Sequence, residues 1–546
     1  MAGRRPLADR LLGLPPAPAR RVSIERDLRI PMPDGVVLVA DLRRPRGAGP
    51  LPAVLIRTPY GKGRPALRLY AGVLARRGLQ VVVQNVRGVP GSGGAFRAFH
   101  HEKDDGLATL AWLRAQPWCD GRVAMAGASY LGFTAWAVAP YADPPLEALG
   151  LGVTASEFAS SFYPGGALAL HNTLVWSSLM GTQGDGRRPL HNRRVRRAMR
   201  HLPVGEADTA AIGRPEPFFQ EVTAHAGSGD DFWKATDHSD AVPGTVAPAT
   251  MVTGWWDLFL RRQLRDFAAL QTAGRDVRIT IGPWGHDTKA LRAMLIDQVS
   301  WLDAHLNDRK ARLRQAPVRL HLQQADRWLD FDRWPPPGTK PTPLYLSRRL
   351  SWDVPADAER ATFTYDPLDP TPAVGGPLLS PGKGGQRDNT RIERRHDVVV
   401  LTGAPLESDL DIIGPVSATV HVRTSTGHGD LFLRLCDVDR DGVSRNVTDG
   451  ILRLTPDRAP ADGIVRAEIE MHPTAYRFAR GHRLRVMLAG GAFPRFARNP
   501  GTGAPPGEAV ATRRTRFEIF RGATYPSAVH LPIWDGPAET SAGKRP

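Results

Sequence analysis

Ten residues restrict the folding of this chain more than any others: Val123-Ala124-Met125-Ala126-Gly127-Ala128-Ser129-Tyr130-Leu131-Gly132. The first six are small or apolar and read as a strand, and residues 133–138 read as a helical run. A serine between two glycines at this spacing fits a strand-to-helix elbow. The glycines let strand and helix cross closely, while the turn holds Ser129 in a strained conformation with its hydroxyl at the carboxyl edge of a sheet. The backbone N–H of Tyr130 would then face a developing oxyanion. The same residues also read as a plain tight turn in which Ser129 caps the helix.

Apolar strands alternate with helices around this turn. Residues 53–56 and 79–83 read as buried strands with a helical segment, 66–77, between them, and a helix at 104–115 precedes the Ser129 strand. Upstream, strand-like runs in 22–42 flank Pro33-Asp34-Gly35, a hairpin signal. This alternation predicts an α/β fold with a parallel sheet covered by helices. From about 154 to 243 strand signals vanish, and Gly, Pro, aromatic and Arg-rich helical pieces dominate, as in an insertion above a sheet. Strands resume at 249–253 and 277–281, and a helix at 293–306 closes this part. Beyond about 314, strand-like runs follow at 318–322, 343–346, 361–365, 397–401, 414–423, 430–437, 464–471, 482–488 and 515–519, with a Gly/Pro-rich loop at 375–388. So many strands without helices predict a sandwich or jelly roll. The expected division is a core from 22–153 and 244–313, a helical cap from 154–243, and a C-terminal β-sandwich from 314–546. No internal repeat is present.

Composition excludes several classes. Hydrophobic content of 42%, with 13 Trp and 18 Phe, is that of a globular chain rather than a disordered one. The formal charge of +17 invites a nucleic-acid reading. Against it, the arginines are spread over the whole chain among 55 Asp and Glu, and no nucleic-acid motif accompanies them. The one dense cluster, Arg187-Arg188 with Arg193, Arg194, Arg196, Arg197 and Arg200, reads as a solvated helical face. The two cysteines, Cys119 and Cys436, imply neither a disulfide framework nor a cysteine metal site, which suits a reducing compartment. Residues 1–21 are basic without a continuous apolar core, and no run approaches membrane-span length. A cytoplasmic protein with no nucleic-acid or membrane partner is therefore expected, with no metal and no cofactor.

A serine nucleophile needs a general base and a group that orients it. In the order typical of this architecture, acid and then histidine follow the serine, each after a strand. Asp257 follows strand 249–253 in Gly254-Trp255-Trp256-Asp257-Leu258-Phe259, and His286 follows strand 277–281 in Gly282-Pro283-Trp284-Gly285-His286-Asp287. Alone, Asp257 reads equally as a helix cap and His286 as a loop histidine; Asp287 is a rival acid, which would have to bend back on its own neighbour. The order and the strand-end placement strengthen the set of Ser129, Asp257 and His286. A second oxyanion donor usually comes from the loop after an early strand. Here that loop is Arg57-Thr58-Pro59-Tyr60-Gly61-Lys62, where Tyr60 offers a phenolic O–H or simply packs on its surroundings.

Gly-Ala-Ser-Tyr-Leu-Gly, Arg-Thr-Pro-Tyr, Gly-Trp-Trp-Asp and Gly-Pro-Trp-Gly-His together resemble the cocaine esterase / X-prolyl dipeptidyl-peptidase family of serine hydrolases. The similarity extends through Met32-Pro33-Asp34-Gly35-Val36, Asn85-Val86-Arg87-Gly88 with Gly91-Ser92-Gly93-Gly94, and Trp112 to Gly121. In the C-terminal part it takes in residues 410–416, Asp430, Val447-Thr448-Asp449-Gly450 and residues 493–499, so it spans about 22–533. The resemblance implies an α/β-hydrolase core with an inserted helical cap and a C-terminal jelly-roll β-sandwich. It implies Ser129 as nucleophile, His286 as base, Asp257 as its orienting acid, and the Tyr60 O–H with the Tyr130 N–H as oxyanion hole. Asn85 departs from the aspartate common in the family, which puts a local charge pair in doubt, not the chemistry.

Branches of the family that recognise a free substrate amine need carboxylates near the acyl pocket. In amino-ester hydrolases such acids lie just after the triad aspartate; here those positions are Leu258, Phe259 and Leu260. An apolar acyl pocket lined by Phe259 is expected, with Phe158, Phe162, Tyr163 and Trp176 as further wall candidates or plain packing between cap helices. Glu157 reads as a surface residue or an amine ligand. The expected activity is cleavage of carboxylic esters through an acyl-enzyme, acting on a small-molecule ester or a short peptide. X-Pro dipeptidyl-peptidase activity is the alternative within the family, and a non-catalytic β-sandwich binding protein the alternative outside it. A sandwich domain offers a surface for a homodimer.

Overall fold

Strand–helix alternation in the N-terminal half builds one sheet. In the computed structural model, the described residues are 21–183, 193–226, 230–309, 313–380 and 382–536, with Asp9, Gly13, Leu14 and Ala17. Two compact units form, one from residues 1–158 and 231–319, the other from 159–230 and 320–546.

The first unit carries β1 (Val22–Pro31), β2 (Val37–Pro45), β3 (Leu51–Thr58), β4 (Gln80–Asn85), β5 (Cys119–Ala128), β6 (Leu149–Gly152), β7 (Ala249–Trp256) and β8 (Val277–Gly285). Their order is β1-β2-β4-β3-β5-β6-β7-β8. β1 and β2 form the hairpin expected at Pro33-Asp34-Gly35, where Gly35 takes φ 83° and Asp34 Oδ1 accepts from the Val36 N–H at 3.1 Å. β2 runs antiparallel to β4, and the strands from β4 to β8 are all parallel. Helices Pro65–Ala75, Glu102–Arg114, Leu260–Thr272 and Thr288–Leu306 connect or follow these strands, as α/β topology requires. The carboxyl ends of β3, β5, β7 and β8 therefore lie along one edge.

β6 is the strand that the apolar pattern does not reveal. Its sequence, Leu-Gly-Leu-Gly, carries two residues that weaken a strand signal. Both glycines are there for clearance: a Cβ on Gly152 would lie 2.2 Å from Met294 Sδ, and one on Gly150 3.0 Å from Gln298 Cγ. Helix Thr288–Leu306 can close on the sheet only because β6 is bare. Gly152→Ala is thus expected to destabilise by about 1–3 kcal/mol through overpacking, the opposite sign to the gain an unhindered Gly→Ala gives. A lower thermal midpoint checks this; a raised one contradicts it.

In the second unit, one sheet runs Leu350–Ser351, Thr339–Leu346, Ala528–Trp534, Ser417–Thr424, Thr515–Arg521, Glu359–Tyr365. A four-stranded sheet runs Val398–Thr402, Arg483–Ala489, Gly429–Val438, Ser444–Leu454. Leu344, Val420, Phe517 and Val529 of the first share a core with Leu433 and Val486 of the second, which makes a β-sandwich. The predicted runs also leave out Arg327–Phe331, Thr474–Phe478, Ala528–Trp534 and Ser444–Leu454, and the last of these has Asp449 among its inner residues, a polar group with a structural task. Burial opposes its ionisation, yet the guanidinium groups of Arg495 and Arg434 hold the Asp449 carboxyl down to about 2. The similar family motifs at 447–450 and 493–499 thus meet in one buried ion cluster.

Between 159 and 230 the described residues of this unit form helices and no strand, among them Leu170–Gly181, Arg193–Ala198, Ala207–Ile212 and Pro217–Ala224. On Arg193–Ala198 the arginines are exposed while Val195 and Ala198 are buried, a solvated face as expected; Arg200 is exposed too, and Arg187 and Arg188 lie outside the described residues. Both cysteines are buried and free. Among the described residues no helix is long and apolar enough to cross a membrane, and no group of three or more His, Cys, Asp or Glu is placed to hold a metal ion.

Candidate active site

Ser129 stands at the end of β5 in a conformation that L-residues rarely take, φ 55° and ψ −126°. The surrounding backbone holds it there. Its N–H donates to the Gly152 carbonyl at 2.9 Å, and its carbonyl accepts from Gly132 N–H at 2.9 Å and Phe133 N–H at 3.0 Å. The Thr154 hydroxyl adds a bond to the same carbonyl at 2.8 Å. The flanking glycines are required by space: a Cβ on Gly127 would fall 2.5 Å from the Leu131 backbone, and one on Gly132 2.5 Å from Thr154 Cγ2. Helix Tyr130–Trp136 starts directly behind, so Tyr130 presents its N–H from the first helical turn. The serine is thus no ordinary helix cap, and its side chain makes no capping bond. Strain of this kind persists only where the surroundings over-determine it.

Asp257 and His286 are brought together by strand register. β7 and β8 pair Gly254 with Gly282 and Trp256 with Gly285, so the next residue on each strand is Asp257 and His286. His286 Nδ1 lies 2.7 Å from Asp257 Oδ2. The other carboxylate oxygen, Oδ1, accepts from the Phe259 N–H at 2.8 Å. Asp257 is fully buried, while the His286 side chain keeps 14% exposure. An acceptor-only carboxylate facing Nδ1 places the imidazole proton there and leaves Nε2 as a base. Asp287 is occupied elsewhere: its Oδ1 accepts from Lys289 and Ala290 N–H at 2.9 and 3.1 Å, capping helix Thr288–Leu306.

Tyr60 follows β3, half-buried, with its N–H on Thr58 Oγ1 at 3.1 Å and its carbonyl accepting from Arg64 Nε at 2.9 Å. Asn85, the departure from the family pattern, ties this loop down: Oδ1 accepts from Lys62 N–H at 2.6 Å, and Nδ2 donates to the Pro90 carbonyl at 2.9 Å. Its amide does both jobs without a charge.

Phe259 is buried, stacked on Phe158 with ring centroids 4.1 Å apart, and edge-on to His286 at 5.7 Å. Two anchors set the stack. Ser156 donates from N–H and Oγ to Asp266 at 2.8 and 2.6 Å, and Glu157 Oε1 takes Arg262 Nε at 2.7 Å. Both partners sit on helix Leu260–Thr272. Burial pushes the Asp266 carboxyl up to about 7. Glu157 is buried rather than on the surface, and its carboxylate is engaged by a guanidinium. Phe162 and Trp176 lie in the second unit, both edge-on to Phe218, at 5.2 and 4.7 Å; Tyr163, also there, donates to the Val222 carbonyl at 2.7 Å.

The sequence motifs assign no site role to Glu102 or to Arg57, which lie beneath the elbow. Glu102 Oε1 accepts from the Tyr130 hydroxyl at 2.7 Å, and Oε2 meets Arg57 Nη1 at 2.6 Å. The available signal was an arginine inside an apolar strand, which demands a buried carboxylate.

Residues 34–288 match the family model described as X-Pro dipeptidyl-peptidase (S15 family), and residues 311–530 match the X-Pro dipeptidyl-peptidase C-terminal non-catalytic domain. The chain is 31% identical to a cocaine esterase of Rhodococcus sp. (strain MB1 Bresler) over 572 residues, covering 94% of this chain and 98% of that one. An aminopeptidase from a marine sediment Thaumarchaeota archaeon superposes with a TM-score of 0.81 at 22% identity, covering 98% of each chain. An α-amino acid ester hydrolase does so with a TM-score of 0.80 at 22% identity, covering 97% of this chain and 100% of that one. These two structures bear on the fold alone.

Proposed function

The chain belongs to the S15 family of serine hydrolases, with cocaine esterase and the X-Pro dipeptidyl-peptidases, and on that premise we propose that it cleaves carboxylic esters through an acyl-enzyme on Ser129. Ser129 attacks the carbonyl while His286 Nε2 takes its proton, and Asp257 holds the imidazole in the required tautomer. The Tyr60 O–H and the Tyr130 N–H stabilise the oxyanion. The protonated histidine then delivers its proton to the leaving alcohol, and water repeats the sequence to release the acid. We assign the reaction to a core of residues 22–153 and 244–313, followed by the sandwich from 314, with 154–243 as the inserted helical part. Family membership as a hydrolase sets aside the non-catalytic binding reading.

The observation that carries ester over amine-directed peptide cleavage is the Phe158–Phe259 stack against His286. Leu258 and Leu260 flank Phe259, and the nearby Glu157 carboxylate is neutralised by Arg262 at 2.7 Å. An ammonium would find aromatic and aliphatic surface in place of a carboxylate with open coordination. Initial rates on p-nitrophenyl butyrate and Ala-Pro-p-nitroanilide, with Ser129→Ala as control, test the choice. Rapid Ser129-dependent ester cleavage without anilide release is expected. Strong anilide cleavage would establish the dipeptidyl-peptidase reading instead.

A further inference from the structure

We propose that Glu102 is a positioning residue that holds the two sides of the oxyanion hole in register, one carboxylate oxygen for each side. The inference rests on the assignment of Tyr60 and Tyr130 as oxyanion donors. Oε1 accepts from the Tyr130 hydroxyl at 2.7 Å, which fixes the residue whose backbone N–H follows the nucleophile. Oε2 accepts from Arg57 Nη1 at 2.6 Å, and the same Nη1 donates to the Glu102 carbonyl at 2.8 Å. Arg57 lies near the end of β3, three residues before Tyr60. The link from there is short: Thr58, next to Arg57, accepts the Tyr60 N–H on its hydroxyl at 3.1 Å.

Each arm is pinned a second time. The Tyr130 oxygen also accepts from the Phe99 N–H at 2.9 Å, and Phe99 stacks on the Tyr130 ring at 4.8 Å while itself at φ 73°. Arg57 Nε donates to Gln84 Oε1 at 2.8 Å, and Gln84 Nε2 donates to Thr109 Oγ1 at 2.8 Å. Asp105 stands 3.8 Å from Arg57 Nη2 and pairs with Arg87 at 2.6 Å. Helix Glu102–Arg114 reaches Arg57 because residue 106 is glycine: a Cβ there would lie 2.3 Å from Val138 Cγ2 and 3.3 Å from Arg57 Nη1.

The side chains of Arg57 and Glu102 are 0% and 3% exposed. A buried pair of this kind is a poor stability device, because desolvating both ions offsets most of their attraction. What it supplies is geometry. An oxyanion hole works through donors fixed before charge develops, and small misplacements erode the gain. Glu102 touches both arms. Burial raises its carboxyl above the usual range, opposed by the Arg57 charge and the Tyr130 hydroxyl.

Two variants test this, Tyr130→Phe, which cuts one arm and keeps the ion pair, and Glu102→Gln, which perturbs both. Each is assayed on p-nitrophenyl butyrate for kcat and KM, for thermal midpoint, and for inhibition by butaneboronic acid, whose tetrahedral serine adduct occupies the oxyanion site. Removing an oxyanion donor outright lowers kcat by about 10²–10³-fold, so misaligning one is expected to lower it by roughly 10–100-fold. KM stays within about twofold and the boronate binds correspondingly more weakly, while Tyr130→Phe stays folded with a thermal midpoint lowered by a few degrees, because the Phe99 N–H and Glu102 Oε1 each lose a buried partner. The proposal is overturned if both variants keep wild-type kcat and boronate affinity. It is equally overturned if any loss of rate follows a loss of folded, phosphonate-titratable enzyme. If the wild-type enzyme shows no Ser129-dependent hydrolysis, it is the functional reading that fails.

Discussion

Ser129→Ala is expected to lower kcat for ester hydrolysis by roughly a millionfold, the scale on which losing the nucleophile acts in serine proteases. Alanine removes Oγ and leaves the rest of the turn in place. The backbone bonds to Gly152, Gly132, Phe133 and Thr154 involve only the main chain of residue 129, so they survive the change. Alanine also meets φ 55° with the same Cβ strain as serine. Fold and thermal midpoint are therefore expected to match wild type. The remaining activity is what oxyanion stabilisation and binding supply without covalent chemistry. Steady-state rates on p-nitrophenyl butyrate, with mass spectrometry of a phosphonate adduct, check this. A folded variant that keeps its rate and still takes the phosphonate would remove Ser129 from the mechanism.

Asp257→Asn is expected to lower kcat by about ten-thousandfold, with KM little changed. The geometry explains why so conservative a substitution is so damaging. Both carboxylate oxygens have commitments, Oδ2 to His286 Nδ1 at 2.7 Å and Oδ1 to the Phe259 N–H at 2.8 Å. The backbone N–H can be met only by an acceptor, so the carboxamide keeps its oxygen there and turns its NH₂ toward the imidazole. His286 must then accept at Nδ1 and carry its proton on Nε2, where it cannot serve as base. Kinetics at neutral pH with a thermal-melt control measures the effect. A loss smaller than about tenfold would leave Asp257 a turn residue and nothing more.

The sequence exposes this site where its chemistry sits at strand ends in short punctuated motifs. Gly-Trp-Trp-Asp and Gly-Pro-Trp-Gly-His are legible because their glycines answer local crowding: a Cβ on Gly254 would strike the Trp284 carbonyl at 2.2 Å, and one on Gly282 the Trp284 ring at 2.5 Å. The α/β core and the β-sandwich are legible for a related reason, since alternation and strand-rich stretches are local patterns. What stays hidden depends on partners far along the chain. β6 gives no strand signal until helix Thr288–Leu306 is laid on it. Glu157 looks like surface until Arg262, about a hundred residues on, is folded against it. Glu102 is one acid among many until Arg57 on β3 and Tyr130 at a helix start converge on it. Asp287 could be judged against Asp257 only by a helix start, which assigns it to capping.

The pairing of β7 with β8 carries a consequence for how this enzyme tolerates change in chain length. Asp257 and His286 meet because each is the first residue past a pair in the ladder, Trp256 opposite Gly285. Their separation is thus counted in rungs and is indifferent to how far apart they stand in sequence, 29 positions. Residues added to the turn near Gly274 would close a slightly longer loop at small entropic expense. One residue added within β8 would rotate His286 to the opposite face of the sheet and separate it from Asp257 at once. Insertions and deletions in relatives, and splice points in chimeras, are therefore admissible on the far side of the sheet and forbidden over the last rungs before Asp257 and His286.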